Sequence, residues 1–260
     1  MHSKPRIIGL AMTAVVCALP SLAAAQSRQT YAEPYPRPGV IKLGESDRVV
    51  AWEVQRVEGS VSPMYQLPLD QVVVTLTEGA VKFTTPDGAW RVVRERFGMV
   101  RLESKGVSQQ EEGLSEVPSR AIIFQLKEGP VRTTPPVDGI PGQWPRINAV
   151  KLFETDRISV WDQEWKPNET IGYHLHYTQT AAVFLVGGKL RTRDLGKPSN
   201  PPFERHQGEL LGVPRAGAVS TRAGSPQGSG AQAPPPAPRM IPHEEEWAGG
   251  TPRAIWIEFK

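Results

Sequence analysis

The chain has 260 residues, with 30 lysines and arginines against 27 aspartates and glutamates. Lys4 and Arg6 belong to a leader-like start, and without them 28 cations face 27 anions, a net charge of +1. No run of basic residues with interleaved aromatics is present to track a phosphate backbone, so a nucleic-acid partner is excluded. No apolar stretch has the length of a spanning helix, so a membrane span is excluded as well.

In chain order, Lys4 and Arg6 precede an apolar stretch from Ile7 to Leu19, and Ala23, Ala24 and Ala25 then supply small residues before Gln26. This pattern predicts a signal peptide over residues 1–25, cleaved near Ala25, and a periplasmic or secreted protein. The one cysteine, Cys17, lies inside that segment, so residues 26–260 form no disulfide and depend on their core. A lipoprotein reading of Cys17 is opposed by the bulky Val16 before it. Residues 26–40, rich in proline and tyrosine, read as an extended arm.

Two copies of one unit follow. The twelve residues from Lys42 to Glu53 match those from Lys151 to Asp162 at an offset of 109, with six identities. The same offset pairs Val72–Gly79 with Ala181–Gly188, each a largely apolar run ending in glycine, which reads as a buried strand entering a turn. Arg120–Lys127 matches Arg253–Lys260 at an offset of 133, so the second copy is 24 residues longer. The extra length is a Gly, Pro, Ala, Ser and Gln-rich insertion over 214–238 with little to bury, expected as a lid near a binding mouth. Residues 128–145 read as a linker, which places one unit at 41–127 and the other at 146–260. Short strands separated by Gly, Pro, Asn and Asp, without helical periodicity, predict an all-β sandwich or barrel for each unit.

Beyond the leader, histidine occurs at positions 174, 176, 206 and 243. His174 and His176 form a His-x-His pair, and alternation in extended chain sends both to one face. Gly172-Tyr173-His174-Leu175-His176, with Gly188 twelve residues on, resembles the first motif of the cupin superfamily. His243, followed by Gly249, Gly250 and a last apolar strand, resembles the second. The resemblance covers nearly all of the chain beyond the leader when both copies are counted. It implies two tandem jelly-roll barrels forming a pseudo-symmetric pair, with His174, His176 and His243 as ligands of one divalent metal ion in the second.

By that resemblance a glutamate ligand falls at Ala181, which cannot bind, so the expected site is three neutral imidazoles. Iron is the first expectation, with zinc, manganese, nickel and copper as alternatives. Three neutral ligands leave the ion's charge uncompensated and favour a small anionic ligand. In the first unit Tyr65, Leu67, Val72 and Gln110 fill the corresponding positions, and no metal site is expected there.

Other features read more blandly. His206 is expected at the surface, Glu244-Glu245-Glu246 as a solvated edge with orientation of the His243 imidazole as the alternative, and Trp52 and Trp161 as repeat-equivalent core residues. Gln179 and Thr180 are candidates to hydrogen-bond a ligand imidazole, and Asn168-Glu169-Thr170 matches a glycosylation acceptor. Three functions fit: a mononuclear dioxygenase-like enzyme, a non-catalytic module binding a metal or small ligand, and a scaffold for a partner protein. A homodimer is compatible with all of them, and no residue is assigned a catalytic role.

Overall fold

A computed structural model describes residues 30–214 and 241–260. The expected signal segment and all but the first residue of the 214–238 insertion lie outside the described residues. The protein is all-β, with sixteen strands and no helix among the described residues. Accordingly, no helix there is long and apolar enough to cross a membrane.

The first unit contains β1 (Val40–Glu45), β2 (Val49–Arg56), β3 (Tyr65–Gln66), β4 (Gln71–Thr77), β5 (Gly79–Thr84), β6 (Trp90–Glu95), β7 (Val100–Glu103), β8 (Ser108–Gly113) and β9 (Ser119–Leu126). The second contains β10 (Ala149–Glu154), β11 (Ile158–Glu164), β12 (Thr170–His174), β13 (Thr180–Asp194), β14 (Phe203–Arg205), β15 (Leu210–Leu211) and β16 (His243–Phe259). In the first unit the sheets run β1-β2-β9-β4-β7 and β3-β8-β5-β6. The second repeats this jelly-roll order: β10-β11-β16-β13-β15 on one face, and β12-β16-β13-β14 on the other.

The two units differ where the sequence predicted turns. β13 runs without a break through Gly187 and Gly188, so one strand does the work of β4 and β5, and β16 likewise does that of β8 and β9. Glycine makes this continuity sterically feasible. Gly188 pairs with Gly250, and a Cβ on Gly188 would lie 2.6 Å from the Pro252 ring. Gly250 sits at φ 71°, a conformation that costs a side-chain-bearing residue. The register slips on either side of this pair, and both strands pass from one sheet face to the other.

Alternation divides the apolar residues between cores. Val72, Val74 and Leu76 of β4 and Ile122, Phe124 and Leu126 of β9 point away from their own barrel. They meet Ala181, Val183 and Leu185 of β13 and Ile255, Ile257 and Phe259 of β16, all within one buried cluster. The alternate residues Val73, Ala121 and Ile123 line the first barrel, while Ala182, Phe184, Ala254 and Trp256 line the second. Each of these strands is apolar on both faces because one face fills its barrel and the other fills the contact between barrels.

The repeat is copied at the level of contacts. A bulge follows Lys42 in β1 and Lys151 in β10. Lys82 pairs with Glu112 as Arg191 pairs with Glu246, and Arg120 with Glu53 as Arg253 with Asp162. Segments whose composition suggested an arm and a linker carry part of this pattern. Tyr35 packs 5.2 Å from Trp52, and Trp144 stacks 4.8 Å from Trp161, each pair closing one barrel beside an arginine, Arg37 or Arg146.

Candidate metal centre

The site is assembled from three segments. The end of β12 supplies His174, and the extended chain after it supplies His176. The start of β16 supplies His243 directly opposite His174 in the ladder, and Glu245 two residues on. Period-two alternation sends His243 and Glu245 to the same face. One donor atom from each of these four residues lies within 4.8 Å of the others. The rings cluster with centroids 4.6 Å apart for His174 and His243, and 5.3 Å for both pairs that include His176. His174, His176 and Glu245 are buried, and His243 is partly exposed at the rim.

Hydrogen bonds orient the imidazoles. His174 Nδ1 lies 2.9 Å from the Gly172 carbonyl and His243 Nδ1 lies 3.1 Å from that of Ile241. Each carbonyl accepts from an N–H, so Nδ1 of both rings is protonated and Nε2 is the atom that faces Glu245, at 3.8 Å and 3.6 Å, with a lone pair for a metal ion when the ring is neutral. Burial pushes the His174 imidazole down to about 4 and that of His176 to about 3, despite the nearby Glu245 charge. Both are therefore neutral near pH 7, the form that binds a metal. Burial also opposes charge on His243, but Glu245 and the Ile241 carbonyl outweigh it and raise the pKa above the ordinary histidine value. Burial would raise Glu245 too, yet Arg146 and the imidazoles hold its carboxyl well below the usual range, so it is ionised.

Sequence reasoning found the three histidines, gave the glutamate run beside His243 only an orienting role as an alternative, and did not count two further residues of the site. Glu245 was read as part of a solvated edge, but only Glu244 and Glu246 fit that reading, pairing with Arg193 and Arg191 at the surface. Glu245 points inward and is 7% exposed. Its carboxylate also accepts a hydrogen bond from Trp165 Nε1 at 2.8 Å. The second missed partner is Arg146, whose Nη1 lies 3.3 Å from Glu245 and 3.4 Å from His174 Nε2. The signal was available: Tyr35-Pro36-Arg37 and Trp144-Pro145-Arg146 are one aromatic-Pro-Arg motif at the repeat offset of 109.

Ala181 is corrected as well. It belongs to the core between the barrels, on the face of β13 opposite to Ala182 and Phe184. A glutamate there would point away from the histidines, so position 181 is not a vacated ligand position. Gln179 accepts instead from the Arg132 amide, and His206 is exposed.

The first barrel holds the same framework with different chemistry. Tyr65 lies opposite Gln109 as His174 lies opposite His243, so Gln109 rather than Gln110 is the counterpart of His243. Glu111 is then the counterpart of Glu245, and it is bound by Arg37 Nη2 at 2.8 Å, by Arg56 Nε at 2.7 Å and by the Tyr65 hydroxyl. Leu67 stands in the place of His176. A cavity of about 260 Å³ lies against Arg37, Arg56 and Glu111 in the first barrel.

No protein-family model matches the chain, and no curated protein matches it. Solved structures do. The Escherichia coli protein Ylba matches at a TM-score of 0.51, with 10% identity, over 87% of this chain and 86% of that one. The chain shares that protein's fold. A cupin 2 conserved barrel domain protein from Leptotrichia buccalis matches at 0.48, with 11% identity, over 89% and 92% of the two chains. A cupin domain from Bordetella pertussis is 23% identical, and the match spans 99% of it and 36% of this chain at a TM-score of 0.32.

Proposed function

We propose that this chain is an exported two-barrel cupin whose second barrel holds one divalent metal ion on His174, His176, His243 and Glu245, and whose first barrel is a metal-free copy. The convergence of these four donor atoms within 4.8 Å carries the reading. The donor chemistry fits: two imidazoles are neutral with oriented or buried rings, and the carboxylate is ionised before any ion arrives. Three nitrogens and one oxygen suit iron, manganese, zinc or nickel, with iron preferred and copper an alternative. With one carboxylate the site balances only part of a +2 charge, so it favours a small anionic ligand. When bound, such an ion supplies Lewis-acid or redox chemistry. The chain's own residues fix the lone pairs, exclude bulk water with Trp161, Trp165 and Trp256, and hold an ionised carboxylate at Glu245.

Elemental analysis of the protein from its native compartment, beside His176→Ala, tests this. About one metal ion per chain, lost in the variant without loss of fold, is the expected result; no metal in either protein rejects the reading. A second reading has a specific observation in its favour. Arg146 Nη1 already lies within hydrogen-bonding or ion-pairing distance of two of the four donors, as Arg37 does for Glu111 in the first barrel. A metal-free barrel that binds a small anion beside its own guanidinium is the corresponding function, and it predicts ligand binding without metal.

A further inference from the structure

Arg146 packs beside two indole rings and is held at one end. Its guanidinium lies 4.3 Å from the Trp144 ring centroid and 5.1 Å from that of Trp256, and Nη1 is engaged with Glu245 and His174. The other edge, Nε and Nη2, is buried and has no hydrogen-bond partner. A buried donor without an acceptor costs roughly 1–3 kcal/mol, more when charged, so two on one cation are uncommon in a finished core. The chain shows what this edge normally does. In Arg253 the same two nitrogens hold the two oxygens of Asp162, Nε at 2.9 Å and Nη2 at 2.6 Å.

Further donors on this interior are unpartnered too. The indole N–H groups of Trp144 and Trp256, the two rings beside Arg146, have no acceptor. Gln143, three residues before Arg146, is 2% exposed, and neither its amide nitrogen nor its amide oxygen is paired. The guanidinium edge itself is the charged group among these unpartnered atoms, and a partner for its two donors is an acceptor that carries negative charge.

We infer that Arg146 is the specificity-determining residue of the second barrel and binds a small carboxylate side-on through Nε and Nη2, as Arg253 binds Asp162. The inference rests on the reading of this interior as the protein's ligand site, whether or not a metal ion shares it. A divalent ion on His174 and Glu245 would place a second cation beside Arg146 on one carboxylate. An anion bound between the two cations relieves their repulsion, so the site selects anions in both cases. Lysine cannot replace this residue, because the planar fork matches two oxygens at once and an ammonium does not.

The test uses acetate and its neutral counterpart acetamide, read by saturation transfer to the ligand methyl signal, with full-length protein before and after chelator treatment. Acetate is expected to bind chelator-treated wild type, and acetamide at least tenfold more weakly. Arg146→Lys and Arg146→Met, checked for fold by circular dichroism, should each weaken acetate at least tenfold. Equal binding of acetate and acetamide by wild type overturns the inference without any variant. So does acetate binding that survives in both Arg146 variants but vanishes with chelator or in His176→Ala, since the anion would then sit on the metal alone. Absence of metal with acetate discrimination intact rejects the metal reading and leaves the Arg146 assignment standing.

Discussion

Glu111 and Glu245 occupy equivalent places in the two barrels and are neutralised by different groups. Glu111 meets two guanidinium groups and a phenol, whereas Glu245 meets one guanidinium, two nearby imidazoles and an indole. At the position where the first barrel has Arg56, the second has Trp165, and the two donate to their carboxylates at 2.7 Å and 2.8 Å. Removing that second guanidinium leaves a carboxylate with charge to spare and makes room for a metal ion in its balance.

The first barrel should depend on Glu111 for stability. Glu111→Gln leaves buried Arg37 without its carboxylate and Arg56 with Glu95 alone, and loss of one partner from a buried pair costs about 3–5 kcal/mol. Urea denaturation should show that loss as a lower midpoint with an unchanged slope. A change below about 1 kcal/mol would mean that water reaches these guanidinium groups.

Acid stability follows from the same residue. Burial opposes its charge, but Arg56 and Arg37 prevail and lower Glu111 from 4.5 to about 2. The unfolded chain therefore takes up this proton first as pH falls. The stabilisation is complete above about pH 4.5 and is lost progressively towards pH 2, amounting to about 3 kcal/mol for a shift of that size. Glu111→Gln should flatten the stability profile in that window, measurable by thermal melts from pH 6 downwards.

Restoring the expected glutamate should fail. Ala181→Glu puts a carboxylate among Val183, Leu185 and Ile257, where an uncompensated buried charge costs about 3–5 kcal/mol. Lower stability with no gain in bound metal is the expected outcome. A gain in metal affinity would show that position 181 can turn towards the histidines.

Metal binding should appear as stability. An ion at a hundred times its dissociation constant stabilises the fold that binds it by about 2.7 kcal/mol. Adding manganese or zinc to chelator-treated protein should raise Tm in wild type and leave His174→Ala and Glu245→Gln unmoved. Equal shifts in all three proteins would place the ion elsewhere.

The barrels should unfold together. Phe124 of β9 belongs to a buried cluster drawn from both units, and Phe124→Ala should cost about 3–5 kcal/mol while keeping one transition by calorimetry. Two resolved transitions would show that the shared core does not couple them.

Much of this architecture was legible in the chain because a repeat constrains two places at once. The match of Val72–Gly79 to Ala181–Gly188 marked β4 and the first half of β13, and His174-x-His176 marked the site because alternation needs only local backbone geometry. Glu245 was not legible for the same physical reason in reverse. In a run of three glutamates, which one turns inward depends on the register of β16 against β12 and β13, and register is set by distant strands.

The sequence by itself determined the all-β class, the duplication and the three histidines, since each follows from composition, spacing or period-two alternation. Only the tertiary structure decided that Glu245 faces inward, that Ala181 faces the other barrel, and that Arg146 lies beside the histidines with one edge unpartnered. The first two outcomes depend on which faces of β16 and β13 pack inside a barrel and which pack between barrels, and the third on where the segment before β10 folds back. Both faces of β13 around Ala181 are apolar and three successive glutamates in β16 offer a carboxylate to either face, so local pattern could not tell them apart.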